Sequence, residues 1–385
     1  MKILFITDGI FPYVIGGMQK HSTNLIKNLS TSGVDVSLFH TLVEGEIPSE
    51  NDVNQFLFGD KKEFYINVTC LKFPKSLKFP GHYIYNSKKY SNSIYFSLSK
   101  SEINDFDFIY AKGFTSWRFL LEKKKGNKLP PIGVNFHGYE MWQYAPDFKS
   151  KLIQFLFRPF VKWNNLNADY VFSYGAKITE IICSIGVNKG NVIEIPSAID
   201  ESWIRKPELP INNEINFLFL GRYERRKGIE ELNKAINLLN EKELNIKFHF
   251  IGPIPSEKRL NYDNVIYYGG LNDFNQIKAI MECCDILLCP SFAEGMPNVI
   301  LEAMASGLAI IANDVGAVSL MVNSENGILL NEISPEILMK SIISIINIPD
   351  NELNSMKLNS INKIVELFTW SKIIRQFNDV VKTKI

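Results

Sequence analysis

The sequence predicts an α/β protein built as two parallel-sheet domains, and three observations predict it. The chain has 385 residues, beyond the roughly 250–300 at which a single hydrophobic core stops growing. Short apolar runs alternate with stretches of helical period along most of that length, the pattern of βαβ units. Between the halves lies a polar stretch, Glu201 to Asn213, carrying Pro207 and Pro210, which reads as a linker.

The elements follow in order. The apolar start Lys2 to Thr7 is interrupted by Asp8 well short of a signal core, so it reads as a first strand. Further strand-like runs are Asp35 to His40, Phe106 to Ala111, Ile132 to Phe136, Tyr170 to Ser173 and Val192 to Ile195. A helix is expected over Met18 to Ser30, with Gly33 placed for its C-terminal cap. Past the linker the runs are Ile215 to Leu220, Ile246 to Ile251, Val265 to Tyr268, Asp285 to Leu288 and Leu308 to Ala312, with a helix over Asp273 to Glu282. Trp370 to Val381 is helical in period, which alone does not say which domain it joins. The expected division is 1–204, 205–369, and a C-terminal helix in 370–385 that packs back on the first domain.

Composition narrows the function classes. A net charge of +1 with 22% charged residues lacks the basic excess of a dedicated nucleic-acid binder. No run approaches the ~18 apolar residues of a membrane span, since the stretch near Phe155 is cut by Arg158 and Lys162. Five cysteines, an odd number, argue for reduced thiols and a cytoplasmic protein, and Cys283, Cys284 and Cys289 lack zinc spacing and read as packing residues. The phosphate loop, the dinucleotide glycine fingerprint and the His-Glu-x-x-His metal helix have no match. Asp105-Phe106-Asp107 looks like an Asp-x-Asp metal motif, but it opens an expected strand, where alternate side chains leave on opposite faces. No metal and no cofactor are expected.

The strongest local signal runs from Pro290 to Gly307 between two expected strands. A strand ends near Cys289, a loop carries Glu294 and Gly295, Pro297 suits the first turn of a helix of about ten residues, and Gly307 suits its end. Gly295, Met296, Pro297 and Asn298 lead into a helix N-terminus whose exposed amides, proline contributing none, attract an anion such as a diphosphate. Glu294 and Glu302 are too far apart along this element to act as a glycosidase acid and base, yet well spaced to grip two hydroxylated rings of one ligand. Glu302 stands between Leu301 and Ala303, where an unpaired carboxylate would be costly.

Gly221-Arg222-Tyr223-Glu224-Arg225-Arg226-Lys227-Gly228 follows a strand directly, placing Arg222 and Lys227 at an edge where α/β sheets bind ligands. Arg225 and Arg226 read as a solvated turn. Gly16-Gly17 opens the first helix, with Lys20 and His21 inside it, and His137 ends another strand in Asn135-Phe136-His137-Gly138. Read alone, the glycine pair is a turn and the histidine a packing residue.

Taken together, these motifs resemble the family 4 retaining glycosyltransferases of the GT-B fold, and the likeness covers nearly the whole chain. The resemblance implies two Rossmann-like domains facing a central cleft. It further implies that Glu294 contacts the donor hexose and Glu302 the ribose, that amides around Gly295 to Asn298 hold sugar and phosphate, and that Arg222 and Lys227 neutralise the leaving diphosphate. His137 would lie beside the donor sugar, and Gly16 and Gly17 would approach phosphate and acceptor. The chain departs from the family pattern at Pro196 to Asp200, at Gly252-Pro253-Ile254-Pro255 and at Leu320, which touches base selectivity rather than reaction class.

The resemblance therefore implies a retaining, metal-independent enzyme moving a sugar from a nucleotide-diphosphate donor, UDP-sugar before GDP-sugar, to a glycan or lipid-linked acceptor in cell-surface polysaccharide synthesis. A nucleotide-sugar epimerase or hydrolase, or a silent nucleotide-sugar binding protein, would use the same motifs. Two basic, aromatic stretches, Lys61 to Lys100 and Phe148 to Trp163, suit an anionic membrane surface, in the first case also a pyrophosphate-linked acceptor, or else half-buried strands and solvated loops, and Pro159 is expected to shorten any helix in the second.

Overall fold

The computed structural model describes residues 1–61, 63–74, 81–205, 214–242 and 244–385. It divides the chain into two compact units. The first holds Met1–Trp142, Leu152–Pro196 and Trp370–Ile385, and the second Gln143–Lys151 and Ser197–Thr369. Residues 206–213, the proline-bearing part of the expected linker, lie outside the described residues.

The first unit is built on a seven-stranded sheet of β1 (Lys2–Ile6), β2 (Asp35–Leu42), β3 (Asn67–Lys72), β4 (Phe108–Lys112), β5 (Ile132–Asn135), β6 (Tyr170–Ser173) and β7 (Val192–Glu194). Its spatial order is β3-β2-β1-β4-β5-β6-β7, every pairing parallel. The second carries β8 (Ile215–Leu220), β9 (Ile246–Ile251), β10 (Val265–Gly269), β11 (Ile286–Cys289), β12 (Ala309–Asn313) and β13 (Gly327–Leu330), ordered β10-β9-β8-β11-β12-β13 and again all parallel. Both are Rossmann-like sheets. In each the chain winds outward from its first strand, then returns to the other side, so β1 and β4, and likewise β8 and β11, form a switch point where outgoing loops part.

The cores are what parallel sheets covered on both faces require. Ile3, Leu4, Phe5 and Ile6 are fully buried in β1, as are Ile286 and Leu287 in β11 and the whole of Ile310, Ile311 and Ala312 in β12. The helix Trp370–Lys382 belongs to the first unit, where Phe377 stacks on Phe172 and lies against Tyr110.

Several local expectations change. β3 and β13 carry no strand signal strong enough to be singled out: β3 is an edge strand with no fully buried position, and β13 has four residues beginning with glycine. The helix Phe148–Asn167 runs through Pro159 instead of ending there. A proline deletes one backbone bond but need not end a helix anchored beyond it, and Val161, Asn164 and Asn165 are buried on the far side. Asp107 accepts a hydrogen bond from the Lys2 amide at 2.8 Å while Asp105 pairs with the Lys2 ammonium, so both carboxylates of the Asp-x-Asp look-alike fasten the start of β1. Cys284 and Cys289 are buried and Cys283 is exposed.

Candidate active site

In the second unit the switch point brings the ends of β8 and β11 together. The turn Arg225–Lys227 ends at Gly228, whose backbone is left-handed (φ 67°). A Cβ there would lie 1.8 Å from the Pro290 carbonyl oxygen, so only glycine lets the two loops meet. The Phe292 amide then donates to the Arg226 carbonyl at 2.7 Å.

That contact sets the charges. Lys227 Nζ donates to Glu294 Oε1 at 2.5 Å, and the Arg226 guanidinium stands 3.7 Å from Oε2. Burial would raise the Glu294 carboxyl, but Lys227, Arg226 and a hydrogen bond from Ser291 outweigh it and hold the group below its ordinary value. Glu294 is thus a buried, ionised acceptor at the end of β11.

Its backbone is held as firmly. Gln143 Nε2 donates to the Glu294 carbonyl at 2.6 Å and the Glu294 amide donates to Gln143 Oε1 at 3.1 Å, so one side chain imitates a strand partner. On the other side Ala317 donates to the Gly295 carbonyl at 2.7 Å. Tyr144 stacks on Phe292, and the Arg225 guanidinium covers the same Phe292 ring at 5.1 Å while forking onto Glu231 at 2.6 and 2.7 Å. Arg225 and Arg226 are therefore not a solvated turn. Arg225 turns to Glu231, while Arg226 donates to Glu224 at 2.9 Å and stands 3.7 Å from Glu294, and the contacts with Glu231 and Glu294 are not visible from residues 225 and 226 themselves.

The helix that follows spans Asn298–Ala305. Pro297 is its N-cap rather than its first residue, because φ −70° is shared by both positions but ψ 116° is extended. No side chain caps this end, so its amides stay available to an anion. The divergent turn at Pro196 to Asp200 meets it: the Ser197 amide donates to Met296 Sδ at 3.1 Å and its hydroxyl to Asn298 Oδ1 at 3.2 Å. Glu302 is buried one turn further in. Arg222 points elsewhere, two-thirds exposed and paired with Glu224 at 3.0 Å.

The first unit holds the remaining candidates at its own C-terminal strand edge. The helix Gly17–Thr31 begins at the glycine pair without a side-chain cap, and a Cβ on Gly17 would meet nothing within 4 Å. His137, two residues past β5, has a left-handed backbone (φ 57°), and its Nδ1 lies 2.6 Å from the Tyr174 hydroxyl just past β6. Beside it is a buried polar group the sequence did not announce. Lys112, the last residue of β4, reaches Asn135 Oδ1 at 2.9 Å and His21 Nδ1 at 3.3 Å. Burial pushes its ammonium down to about 7, opposed by Asp8. Burial, then Lys112 and His137, hold His21 well below its ordinary value. The one available signal was a lysine closing an apolar strand, a position where a charge needs a partner.

Two sequence profiles cover most of the chain, Glycosyltransferase Family 4 over residues 15–203 and Glycosyl transferases group 1 over 214–347. The chain belongs to the family 4 glycosyltransferases. It is similar to an uncharacterized glycosyltransferase of Methanocaldococcus jannaschii, 29% identical over 98% of this chain and 97% of that one. It is also similar to the N,N'-diacetylbacillosaminyl-diphospho-undecaprenol alpha-1,3-N-acetylgalactosaminyltransferase of Campylobacter jejuni, 27% identical over 61% of this chain and 66% of the relative. Among solved structures, the sucrose-phosphate synthase of Thermosynechococcus elongatus superposes with a TM-score of 0.74 at 18% identity, covering 99% and 98% of the two chains. Anabaena HepE in complex with UDP-glucose gives 0.67 at 16% identity over the full length of both. The glycosyltransferase has the GT-B fold, two Rossmann-like domains each carrying its own set of candidate residues.

Proposed function

We propose that this glycosyltransferase moves a hexose from a UDP-sugar, with retention and without a metal ion, to a lipid-linked or glycan acceptor in polysaccharide synthesis. The observation that supports this most is the Lys227–Glu294 pair beside an uncapped helix N-terminus. A buried carboxylate accepts hydrogen bonds from sugar hydroxyls, while the ammonium and helix amides face a diphosphate. In this reading Glu294 holds the hexose, Glu302 the ribose, and Gly295 to Asn298 the phosphates. His137 contacts the sugar, and Gly16 and Gly17 let the acceptor and diphosphate come close.

The bond from the anomeric carbon to the diphosphate oxygen breaks as the acceptor oxygen bonds the same face, and the acceptor proton passes to the departing phosphate oxygen. Lys227, Arg222 and the helix amides stabilise the charge that develops there. Arg222 reaches it by leaving Glu224, a surface pair of the kind worth at most about 1 kcal/mol. The UDP-glucose bound to HepE and the diphospho-undecaprenol in the name of the Campylobacter relative support the donor and acceptor classes. A thermal-shift panel of UDP-, GDP- and ADP-sugars with and without magnesium tests the donor, with stabilisation expected for a UDP-sugar in EDTA. NMR of the product's anomeric centre tests the stereochemistry. An inverted product, or transfer that EDTA abolishes and magnesium restores, would overturn this reading.

The acceptor class suggests a place for the enzyme at the cytoplasmic membrane face. No helix among the described residues is long and apolar enough to cross a membrane. The helix Phe148–Asn167 instead exposes Phe148, Leu152, Phe155 and Leu156, spaced as one face, next to exposed Lys149, Lys151 and Lys162. An apolar face flanked by lysines suits the interface of an anionic bilayer. In the stretch Lys61 to Lys100, Tyr90 and Tyr95 are buried while Tyr83, Tyr85, Phe96, Lys88 and Lys89 are exposed, and Lys62 and 75–80 lie outside the described residues. The full-length protein should co-sediment with phosphatidylglycerol vesicles at low salt, and Phe155→Asp should reduce the bound fraction several-fold. Equal sedimentation of the two would remove the helix from the membrane.

A further inference from the structure

The described residues contain three non-glycine residues with left-handed backbone, and they gather at one place. His137 (φ 57°) and Tyr139 (φ 50°) follow β5, and Ala176 (φ 48°) follows β6, its parallel neighbour. Such conformations are disfavoured for residues with a Cβ and persist where surrounding packing imposes them, often at functional sites. The two strained loops are joined side chain to side chain, by Tyr174 and His137.

The chemistry of that contact fixes its direction. Tyr174 is buried, and burial drives its pKa well above the ordinary value, so the phenol keeps its proton. His137 Nδ1, at 2.6 Å, is the partner of that hydroxyl among the described residues. A buried O–H without an acceptor is costly. The phenol therefore donates, Nδ1 accepts with its lone pair, and a neutral ring must carry its proton on Nε2. The same logic holds next door. Lys112 Nζ stands 2.9 Å from Asn135 Oδ1 and 3.3 Å from His21 Nδ1, and in its ammonium form it donates to both, which makes His21 an Nε2–H ring as well. The rings of His21 and His137 lie edge to face, 6.1 Å apart, with Tyr174 against both. Burial, before any charge nearby, keeps the His21 ring neutral.

We infer that Tyr174 is a positioning residue that fixes His137 as the Nε2–H tautomer, so that the ring meets the transferred sugar as a neutral hydrogen-bond donor. This rests on the proposal above that His137 contacts that sugar. A hydroxyl oxygen of the donor sugar would accept from Nε2–H, and the enzyme would discriminate against donors lacking an oxygen at that position.

The chain has five histidines, few enough for 15N NMR of the full-length protein, with the His137→Gln spectrum assigning the signal. At pH 7.5 the His137 ring should show a protonated Nε2 and an unprotonated Nδ1, and Tyr174→Phe should give a mixture of tautomers. In the same variant, kcat for the UDP-sugar with the largest thermal shift should fall about threefold to tenfold, the size expected for one hydrogen bond, with donor KM little changed. An Nδ1–H or doubly protonated ring in the wild type would overturn the inference, even if the tyrosine variant failed to fold. A wild-type Nε2–H ring with full activity in His137→Ala would uphold the tautomer and overturn the sugar contact instead.

Discussion

Lys227→Ala is expected to lower kcat by about a hundredfold or more, the usual loss when a group stabilising transition-state charge is removed. Donor KM should change less, because the diphosphate gains charge as the sugar leaves. The substitution has a second consequence that the sequence did not suggest. It strips Glu294 of its 2.5 Å partner and leaves Arg226 at 3.7 Å. Removing one member of a buried ion pair costs about 3–5 kcal/mol when no other charge is near, and Arg226 should reduce that. The melting temperature should therefore fall as well, and kcat must be measured below it. The pH dependence separates the two effects. Glu294 is held below its ordinary pKa, so the stability it contributes is complete above the normal glutamate range and is lost as pH falls through the lowered value. The gap in stability between wild type and Lys227→Ala should be widest near neutrality and close in acid. A folded variant with wild-type kcat would remove Lys227 from leaving-group stabilisation.

Gly316→Ala should damage the site without touching any charged group. Gly316 has φ 57°, and a Cβ there would stand 2.2 Å from the Glu294 carbonyl oxygen and 2.3 Å from that of Gly295. Both are backbone atoms, so relief requires moving the loop that carries the carboxylate. The left-handed backbone costs about 1–2 kcal/mol for alanine, and forcing atoms into a packed site a further 1–3 kcal/mol. A displacement of about 1 Å is enough to cost a hundredfold in rate. We expect a clear drop in melting temperature together with a loss of activity of that order. Gly17→Ala provides the contrast in stability, because its Cβ would meet nothing within 4 Å. Unchanged activity in a stable Gly316→Ala protein would show that Glu294 tolerates movement of its loop.

Both expectations concern residues whose importance was unevenly legible. Lys227 and Glu294 stood out separately, each at the end of an expected strand, whereas their contact did not, being a consequence of β8 lying beside β11. Gly316 carries no local signal: it sits in an ordinary strand-to-helix loop, and its constraint is set by the carbonyls of Glu294 and Gly295, far back in the chain. Gln143 is more remote still, 151 residues from the backbone it clamps.

The sequence by itself determined the α/β class, the positions of most strands along the chain, and the segments beyond the C-terminal strand edges that carry Arg222, Lys227, Glu294, Asn298, Glu302 and His137. Local pattern suffices for these, because strand and helix periodicity and the punctuation of glycine and proline act over a few residues. Tertiary structure alone decided which charges meet. It paired Lys227 and Arg226 with Glu294, turned Arg222 toward Glu224, and gathered Lys112, His21, Tyr174 and His137 at one sheet edge. The reason is physical. A buried charge or phenol takes whatever partner the strand order places within about 3 Å, and strand order is set by packing across the whole domain.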